Sequence, residues 1–482
     1  MRTAYSVEKV RSSERALMAQ GPEGVLMQRA AAGLAAECAR LLGKVYGKVY
    51  GARVALLVGS GDNGGDALYA GARLARRGAG VSAVLLAPDR THAGGLAALR
   101  AAGGVVVGAD EDRAEGVVAR AGLVVDGIVG IGGRGGLRER AARLVSAARD
   151  ATVVAVDLPS GVDADTGEVP GDAVRADVTV TFGTYKPGLL IDPGREYAGA
   201  VRLVGIGLEL AADEAELEAL QFAEVAGLLP VPGGESDKYR RGVVGVVAGS
   251  ARYPGAAVLA VAGALRGGAG AVRYVGPAAD AVIARFPEVL VSAGPPAKAG
   301  RVQAWVVGPG LGDDAEGLRD VVAADVPVLI DADGLRLAGQ EAVRARRAPT
   351  LLTPHAGEAA ALLGVARAEV EAGRLSAVRE LARRYGATAL LKGSTTLVAS
   401  ARGPVRVNPT GTAWLATAGS GDVLSGLAGS LLAAGLGARD AGSVAAYLHG
   451  LAGRHAADGA PVSAQDVADA IPAVWREVRR PG

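Results

Sequence analysis

The sequence predicts two α/β domains in tandem, on three observations. From Val54 onward, short β-branched runs alternate with helical stretches rich in Ala, Leu and Arg, and the runs are apolar throughout. Continuous apolar strands set between helices indicate a parallel sheet covered on both faces. The alternation weakens once, at "LELAADEAELEALQFAEVAGLLPVPGG", and resumes beyond it with different motifs. The length, 482 residues, also exceeds one ordinary domain, and two domains of about 200–260 residues are expected. The boundary is placed between residues 218 and 219, giving domains 1–218 and 219–482.

The elements follow in order. "SSERALMAQ" and "LMQRAAAGLAAECARLL" read as helices, and the repeat "GKVYGKVYG" after them reads as a loop. "VALLV", "VSAVLLA", "LVVDGIV", "TVVAVDL" and "DVTVTF" read as strands of the first sheet. An acidic helix is expected within "LELAADEAELEALQFAEVAGLLPVPGG", giving way to a linker-like stretch at Pro230, Pro232, Gly233 and Gly234. The second series of strands lies in "GVVGVVAGS", "AVRYVG", "AWVVGPGLG", "PVLIDADGL", "TLLTPH" and "TALLKGS". The longest apolar run, Val423 to Ala438, is Gly-rich and shorter than the about 20 residues of a bilayer span, so it reads as a buried helix.

Composition narrows the function classes. Half the residues are apolar, the net charge is +2, and acids and bases are interspersed. No basic block points to nucleic acid or to a membrane surface. The 73 glycines follow no Gly-X-Y period, which argues against collagen. A single cysteine, Cys38, excludes an internal disulfide and fits a reducing compartment. "MRTAYSVEKVRSSER" carries charges where a signal peptide needs its apolar core, so a cytoplasmic location is expected.

In the first half, polar residues cluster where strands end. "LLVGSGDNGGDALYAGARLA" sets glycines between a strand and a helix, and Gly59, Gly61 and Gly64 match G-x-G-x-x-G. No Lys-Ser/Thr follows, so this is not a Walker loop. The loop instead carries Asp62, Asn63 and Asp66. Two later strands end in Asp126 and Asp157. Ligands of open α/β sheets bind beyond the carboxyl ends of strands, so these loops are expected to form one crevice. Asn, Asp and Ser oxygens suit a hard cation.

"GSGDNGGDALYAGARLA", "VDGIVGIGGRGG", "VDLPSGVDADTGEV" and "ADVTVTFGTYKPGLL" resemble the NAD(P)H-hydrate epimerases, which have a Rossmann-like three-layer fold. The resemblance implies that Asp62, Asn63, Gly64, Gly65 and Asp66, with Gly130, Ile131, Gly132, Gly133, Arg134, Gly135 and Gly136, contact the hydrated nicotinamide nucleotide. It further implies that Asn63, Asp126 and Ser160 hold potassium, and that Asp157 binds substrate and serves in proton transfer. The family loop usually opens Asn-Asn-Gly-Gly-Asp, and here Asp62 takes its first place. Lys186 in "YKPG" reads as an anion contact or, equally, as an exposed loop lysine.

In the second half, "NPTGTAWLATAGSGDVLSGLAGSLLAAGL" places Asp422 between glycines at the start of a small-residue helix. Helix N-terminal amides attract phosphate, and a carboxylate beside them suits removal of a proton from an acceptor hydroxyl. This Gly-x-Gly-Asp turn resembles the ribokinase-like fold. "GVVAGSARYPGAAVLAVAGALRGGAG", "VVGPGLG", "VLIDADGL", "LLTPHAGEAAALLG" and "LLKGSTTLV" narrow the resemblance to the ADP-dependent dehydratase of (S)-NAD(P)H hydrate. It implies that Ala256, Gly310, His355 and Asp422 bind the hydrated nucleotide, with Asp422 catalytic. Lys392, Gly393, Ser394, Thr395, Thr396 and Gly421 would bind the phosphoryl donor ADP, which acts with Mg²⁺. A homo-oligomer is expected. The residue pattern alone stops at a Rossmann-like domain joined to a small-molecule kinase-like domain. A vitamin or sugar kinase fused to a non-catalytic nucleotide-binding module is the alternative.

Overall fold

The computed structural model describes residues 1–22 and 24–480. The chain divides into two compact units, Thr3–Glu216 and Leu217–Gly482, the second also taking in Met1–Arg2. After a short strand β1 (Arg2–Ala4), the N-terminal unit builds β2 (Arg53–Val58), β3 (Gly80–Leu85), β4 (Val105–Gly108), β5 (Leu123–Gly127), β6 (Thr152–Val156), β7 (Val178–Phe182) and β8 (Ala200–Val204). Their order in the sheet is β4-β3-β2-β5-β6-β7-β8, and every pairing is parallel. Along β2, Val54, Leu56 and Val58 enter one core with the helices Val25–Tyr46 and Asp62–Arg76. Ala55 and Leu57 enter another, with the helices Ala114–Ala119 and Glu139–Ser146. Two-residue alternation between two apolar cores is the three-layer arrangement that continuous apolar strands require. The helix from Val25 runs through Tyr46, so the first half of the tyrosine repeat is helical, and it ends at Gly47 in the left-handed conformation (φ 74°).

The second unit contains β9 (Leu217–Ala219), β10 (Val243–Val247), β11 (Ala271–Val275), β12 (Leu290–Ser292), β13 (Ala304–Val307), β14 (Val328–Ile330), β15 (Thr350–Leu352), β16 (Thr388–Leu391), β17 (Thr396–Ala399) and β18 (Val405–Asn408). These lie in the order β9-β18-β17-β16-β15-β14-β13-β10-β11-β12. Pairing is parallel from β12 to β16, then antiparallel for β16–β17 and β17–β18.

The acidic helix expected ahead of Pro230 forms only over Phe222–Leu228, and the more acidic part before it is not α-helical. A 3₁₀ turn (Ala212–Glu214) leads into β9, which pairs in parallel with β18, Leu217 opposite Val405. The reason is periodicity: Leu217 and Ala219 are buried, while Glu218 between them meets Arg406 at 3.4 Å and Arg439 at 2.8 Å. A period of two selects strand over helix. The Pro230–Gly234 stretch lies within the second unit, because Leu220, Val225 and Leu229 before it join that unit's core.

The apolar run does form a buried helix, Ser420–Ala433. It crosses the helix Pro254–Arg266 at van der Waals distance of the backbones: a Cβ on Gly426 would stand 1.9 Å from the Ala260 carbonyl oxygen. Among the described residues no helix is long and apolar enough to cross a membrane. Since that crossing admits no side chain, Gly426→Leu is predicted to destabilise the second unit by about 3 kcal/mol. A wild-type urea midpoint in the variant would contradict this packing.

Candidate active sites

In the N-terminal sheet, β2 has β3 on one side and β5 on the other, so the strand order reverses there. A crevice opens beyond the carboxyl ends of strands at such a reversal. The loop after β2 enters the helix Asp62–Arg76 through Gly61 (φ 87°), which sets Asp62 and Asn63 in the first helical turn. Asp126, at the end of β5, is fully buried. Its Oδ1 accepts from the Ser160 hydroxyl at 2.7 Å and from the Ile128 amide at 3.2 Å, and its Oδ2 accepts from the Ser160 amide at 2.8 Å. Burial pushes the Asp126 carboxyl up to about 6, and the hydrogen bonds from Ser160 pull the other way. The Val129 carbonyl lies 3.1 Å from the same hydroxyl. Gly130 follows, and a Cβ there would stand 2.9 Å from Asn63 Oδ1. Asn63, Asp126 and Ser160 are therefore brought together around the Val129–Gly130 turn. The Asn63 Nδ2 is buried without a partner, and a half-turn of the amide would present its oxygen there instead. An amide, a carboxylate, a hydroxyl and a carbonyl make an oxygen donor set that fits a hard cation. The outer end of the 130–136 loop is anchored elsewhere, since Gly136 packs on Gly171 and the Leu137 amide donates to the Asp172 carbonyl at 2.7 Å.

Asp157 follows β6 in the left-handed conformation (φ 64°), uncommon for a residue with a side chain. Its Oδ1 accepts from the Lys186 ammonium at 2.5 Å, the Thr181 hydroxyl at 3.0 Å and the Phe182 amide at 3.1 Å. All three donors converge on one oxygen, so Oδ2 is left for a ligand. Lys186 is not an exposed loop residue. It is 1% exposed and also donates to the Phe182 carbonyl at 2.9 Å, because the turn at Pro187–Leu189 folds its stem into the core. Asp66 is buried in the same crevice, and burial, with the charges of Asp157, Asp62 and Glu14, raises its carboxyl well above the usual range. Glu14, from the helix Val7–Met18, is raised chiefly by burial, and the Lys186 charge opposes that shift. Nothing in the N-terminal sequence marks Glu14 as part of a site.

The second sheet repeats the arrangement. Its order reverses between β10 and β13, and the two loops there interlock, the Gly249 amide donating to the Pro309 carbonyl at 2.7 Å. Ala256 and Gly310 meet at this point, where a Cβ on Gly310 would stand 2.6 Å from the Ala256 Cβ. Asp422 is the third residue of the helix Ser420–Ala433, which starts from Gly419 (φ 87°). The Asp422 carboxylate ties off no backbone group: it makes no hydrogen bond or ion pair among the described residues. Burial pushes it up to about 7, the Asp331 carboxylate adds to the shift, and Lys392 opposes it.

Lys392 reaches this helix mouth, 3.5 Å from where a Cβ of Gly421 would be. It is paired to Asp331 at 2.7 Å and to Glu358 at 3.7 Å. Burial lowers its ammonium, but Asp331 and Glu358 more than offset this and the net shift is upward. Gly393 and Ser394 are exposed beside it, whereas Thr395 and Thr396 are buried and turn inward. His355 is an N-cap, its Nδ1 accepting from the Gly357 and Glu358 amides at 3.0 and 3.2 Å. Asp331, Glu358, Ser425 and His449 were not singled out from the sequence. For Asp331 the signal was present, as an acid ending the strand in "VLIDADGL", the placement shared by Asp126 and Asp157. His449 is buried, with its ring held neutral near 4 by burial, and its Nε2–H donates to the Ser420 carbonyl at 2.9 Å.

A Rossmann-like sheet and a ribokinase-like sheet, each with carboxylates at its reversal point, define a two-site α/β enzyme class. The model of the family "NAD(P)H-hydrate dehydratase" matches residues 244–473, and that of "YjeF-related protein N-terminus" matches residues 23–188. The bifunctional NAD(P)H-hydrate repair enzyme of Mycobacterium leprae is 51% identical over 457 residues, covering 93% of each chain. That of Escherichia coli is 35% identical over 419 residues, covering 82% of this chain and 79% of the other. The ADP/ATP-dependent NAD(P)H-hydrate dehydratase of Bacillus subtilis, co-crystallised with ATP/Mg²⁺, matches with a TM-score of 0.50 at 30% identity, over 54% of this chain and 97% of that one. The chain belongs to the family of bifunctional NAD(P)H-hydrate repair enzymes.

Removing one partner of a buried ion pair leaves an uncompensated charge, at a cost of about 3–5 kcal/mol. Lys186→Met is therefore predicted to destabilise the N-terminal unit by about 3 kcal/mol or more in urea unfolding. An unchanged midpoint would mean that the pair with Asp157 is not formed.

Proposed function

We propose that the chain repairs hydrated NADH and NADPH in two reactions, interconverting the R and S hydrates in the N-terminal site and dehydrating the S form at the expense of ADP in the second. The observation that carries this reading is the unbonded Asp422 carboxylate, set beside the Lys392 ammonium at a helix N-terminus, in a chain of this family. Epimerisation requires either that the bond from the hydrated carbon to its oxygen breaks and re-forms, or that the bond from that carbon to the ring nitrogen opens to a carbonyl and closes again. Asp157 Oδ2 takes and returns the proton, while Lys186, Thr181 and Phe182 hold Oδ1. Asn63, Asp126 and Ser160 would hold potassium, which supplies a fixed positive charge beside an anionic oxygen of the substrate.

In the second site the C6 hydroxyl attacks the terminal phosphoryl of ADP, Asp422 accepts the hydroxyl proton, and AMP leaves. Phosphate then departs from C6 with the neighbouring proton, which restores the dihydropyridine. The amides of the helix start and the Lys392 ammonium face the transferred phosphoryl group. Among the described residues no three His, Cys, Asp or Glu side chains gather as a metal cage, and Mg²⁺ would arrive on the nucleotide phosphates. His355 and the Ala256–Gly310 contact flank the space left for the hydrated ring.

Asp157→Asn is expected to lower R-to-S interconversion, and Asp422→Asn to lower S-hydrate dehydration, each by about 100-fold or more, with the other reaction kept. Wild-type rates in either variant would remove that residue from the chemistry, and a lasting phosphoester in place of restored chromophore would identify a kinase. Because protonated Asp422 cannot accept a proton, dehydration should rise with pH through about 7. A flat profile between about pH 6 and 8 would contradict the base assignment.

A further inference from the structure

Asp331 is 1% exposed and both its oxygens are engaged. Oδ1 accepts from the Lys392 ammonium at 2.7 Å, and Oδ2 from the Ser425 hydroxyl at 2.6 Å. Ser425 is itself fully buried, on the face of the helix Ser420–Ala433 that packs inward. One carboxylate therefore ties the strand end after β14 both to the loop after β16 and to the helix whose first turn carries Asp422. The next residue, Ala332, holds a positive φ that side chains rarely adopt (φ 47°, ψ −126°). Asp333 then accepts from the Gly312 amide at 2.8 Å, in the loop that also carries Gly310. Neither Asp331 oxygen is available to a ligand, so any part it plays in the reaction is through the groups it holds.

We propose that Asp331 is a positioning residue of the dehydratase site, which aims the Lys392 ammonium at the transferred phosphoryl group and locks it to the helix bearing Asp422. The inference rests on the dehydratase reading of this site. Lys392 has a second partner, Glu358, at 3.7 Å. With Asn at 331 the tether on Lys392 loosens, so the ammonium stays in the crevice near Asp422 and Glu358 but is no longer held at one point. Misplacing a catalytic group by about 1 Å can cost on the order of 100-fold in rate. Binding responds differently. Asp331 places a negative charge behind the phosphate site, so neutralising it does not weaken the attraction for a nucleotide. The Asp422 carboxyl feels Asp331, Lys392, Glu358 and Asp333, with burial the largest influence on it. His449, neutral, closes the far side at Ser420. Removing the Asp331 charge while keeping Lys392 therefore makes Asp422 easier to ionise.

The test is Asp331→Asn in the whole chain, with ADP binding measured by calorimetry and dehydration of the S hydrate measured across pH. The expected result is kcat lower by about tenfold or more, ADP affinity equal to or tighter than wild type, and the acidic limb moved to lower pH. A structural role alone would weaken ADP binding along with kcat and leave the limb in place. That outcome, or an unchanged kcat, overturns the proposal. ADP binding also reports Asp422 without turnover, because its ionisation adds a negative charge beside the phosphates. If wild type binds ADP but restores no chromophore, the dehydratase reading fails, and the midpoint of the binding-versus-pH curve still decides the coupling: a shift to lower pH in the variant supports it and no shift overturns it. Should Asp331→Asn not fold, Ser425→Ala cuts one of the two ties and keeps the charge. A lower kcat with ADP affinity retained supports the proposal, and wild-type kcat overturns it.

Discussion

Both crevices depend on a lysine–aspartate pair placed just beyond a strand end, buried in the first and with its lysine partly exposed in the second. In the N-terminal unit Lys186 meets Asp157, and in the second Lys392 meets Asp331. Taking two charges out of water costs several kcal/mol per ion, and the loss is recovered only where hydrogen bonds satisfy the remaining donors and acceptors. Here they do: Lys186 has the Thr181 hydroxyl and the Phe182 carbonyl, and Asp331 has Ser425. Such pairs are poor stabilisers compared with apolar packing. Their use is to hold charge at a fixed point. A non-glycine residue with a positive φ, Asp157 itself or Ala332 after Asp331, sits at each pair. Strain of this kind costs about 1–3 kcal/mol and persists where the surroundings over-determine the backbone.

The pairs are used differently. In the proposed epimerisation Asp157 offers its second oxygen to substrate while the lysine occupies the first. Asp331 is taken up in holding its lysine and Ser425, and the proposed proton-accepting role falls to Asp422. That division follows from the chemistry. Epimerisation needs one group that both takes and returns a proton, whereas phosphoryl transfer needs a cation for the phosphoryl oxygens and a separate base for the acceptor hydroxyl. The two sites are coupled through a shared substrate, since the product of one reaction is consumed by the other.

Much of this was legible in the sequence because it depends on local pattern. Apolar runs marked the central strands, and acids at strand ends marked Asp126 and Asp157. The glycines around Asp422 marked a helix mouth. What escaped depends on partners distant in the chain. Glu14 joins the first crevice from a helix whose sequence is that of any amphipathic surface helix. Lys186 read equally as an anion contact or an exposed loop lysine because its partner, Asp157, lies 29 residues away. The strands β4, β8, β12, β17 and β18 are short or half-polar, and β9 has the composition of an acidic helix although its pairing with β18 and the partners of Glu218 make it a strand. The resemblance implies Thr395 and Thr396 as nucleotide contacts, and their burial, which follows from the strand β17 that begins at Thr396, was not legible beforehand.

The central claim is that one chain carries both reactions. Purified R hydrate, supplied with ADP and the whole wild-type protein, tests it most directly, because R must pass through the first site before the second can act on it. Full return of the dihydronicotinamide chromophore, with AMP and phosphate formed in equal amounts, is the predicted result. Return of the chromophore from S hydrate but none from R hydrate, beyond its spontaneous conversion, would contradict it.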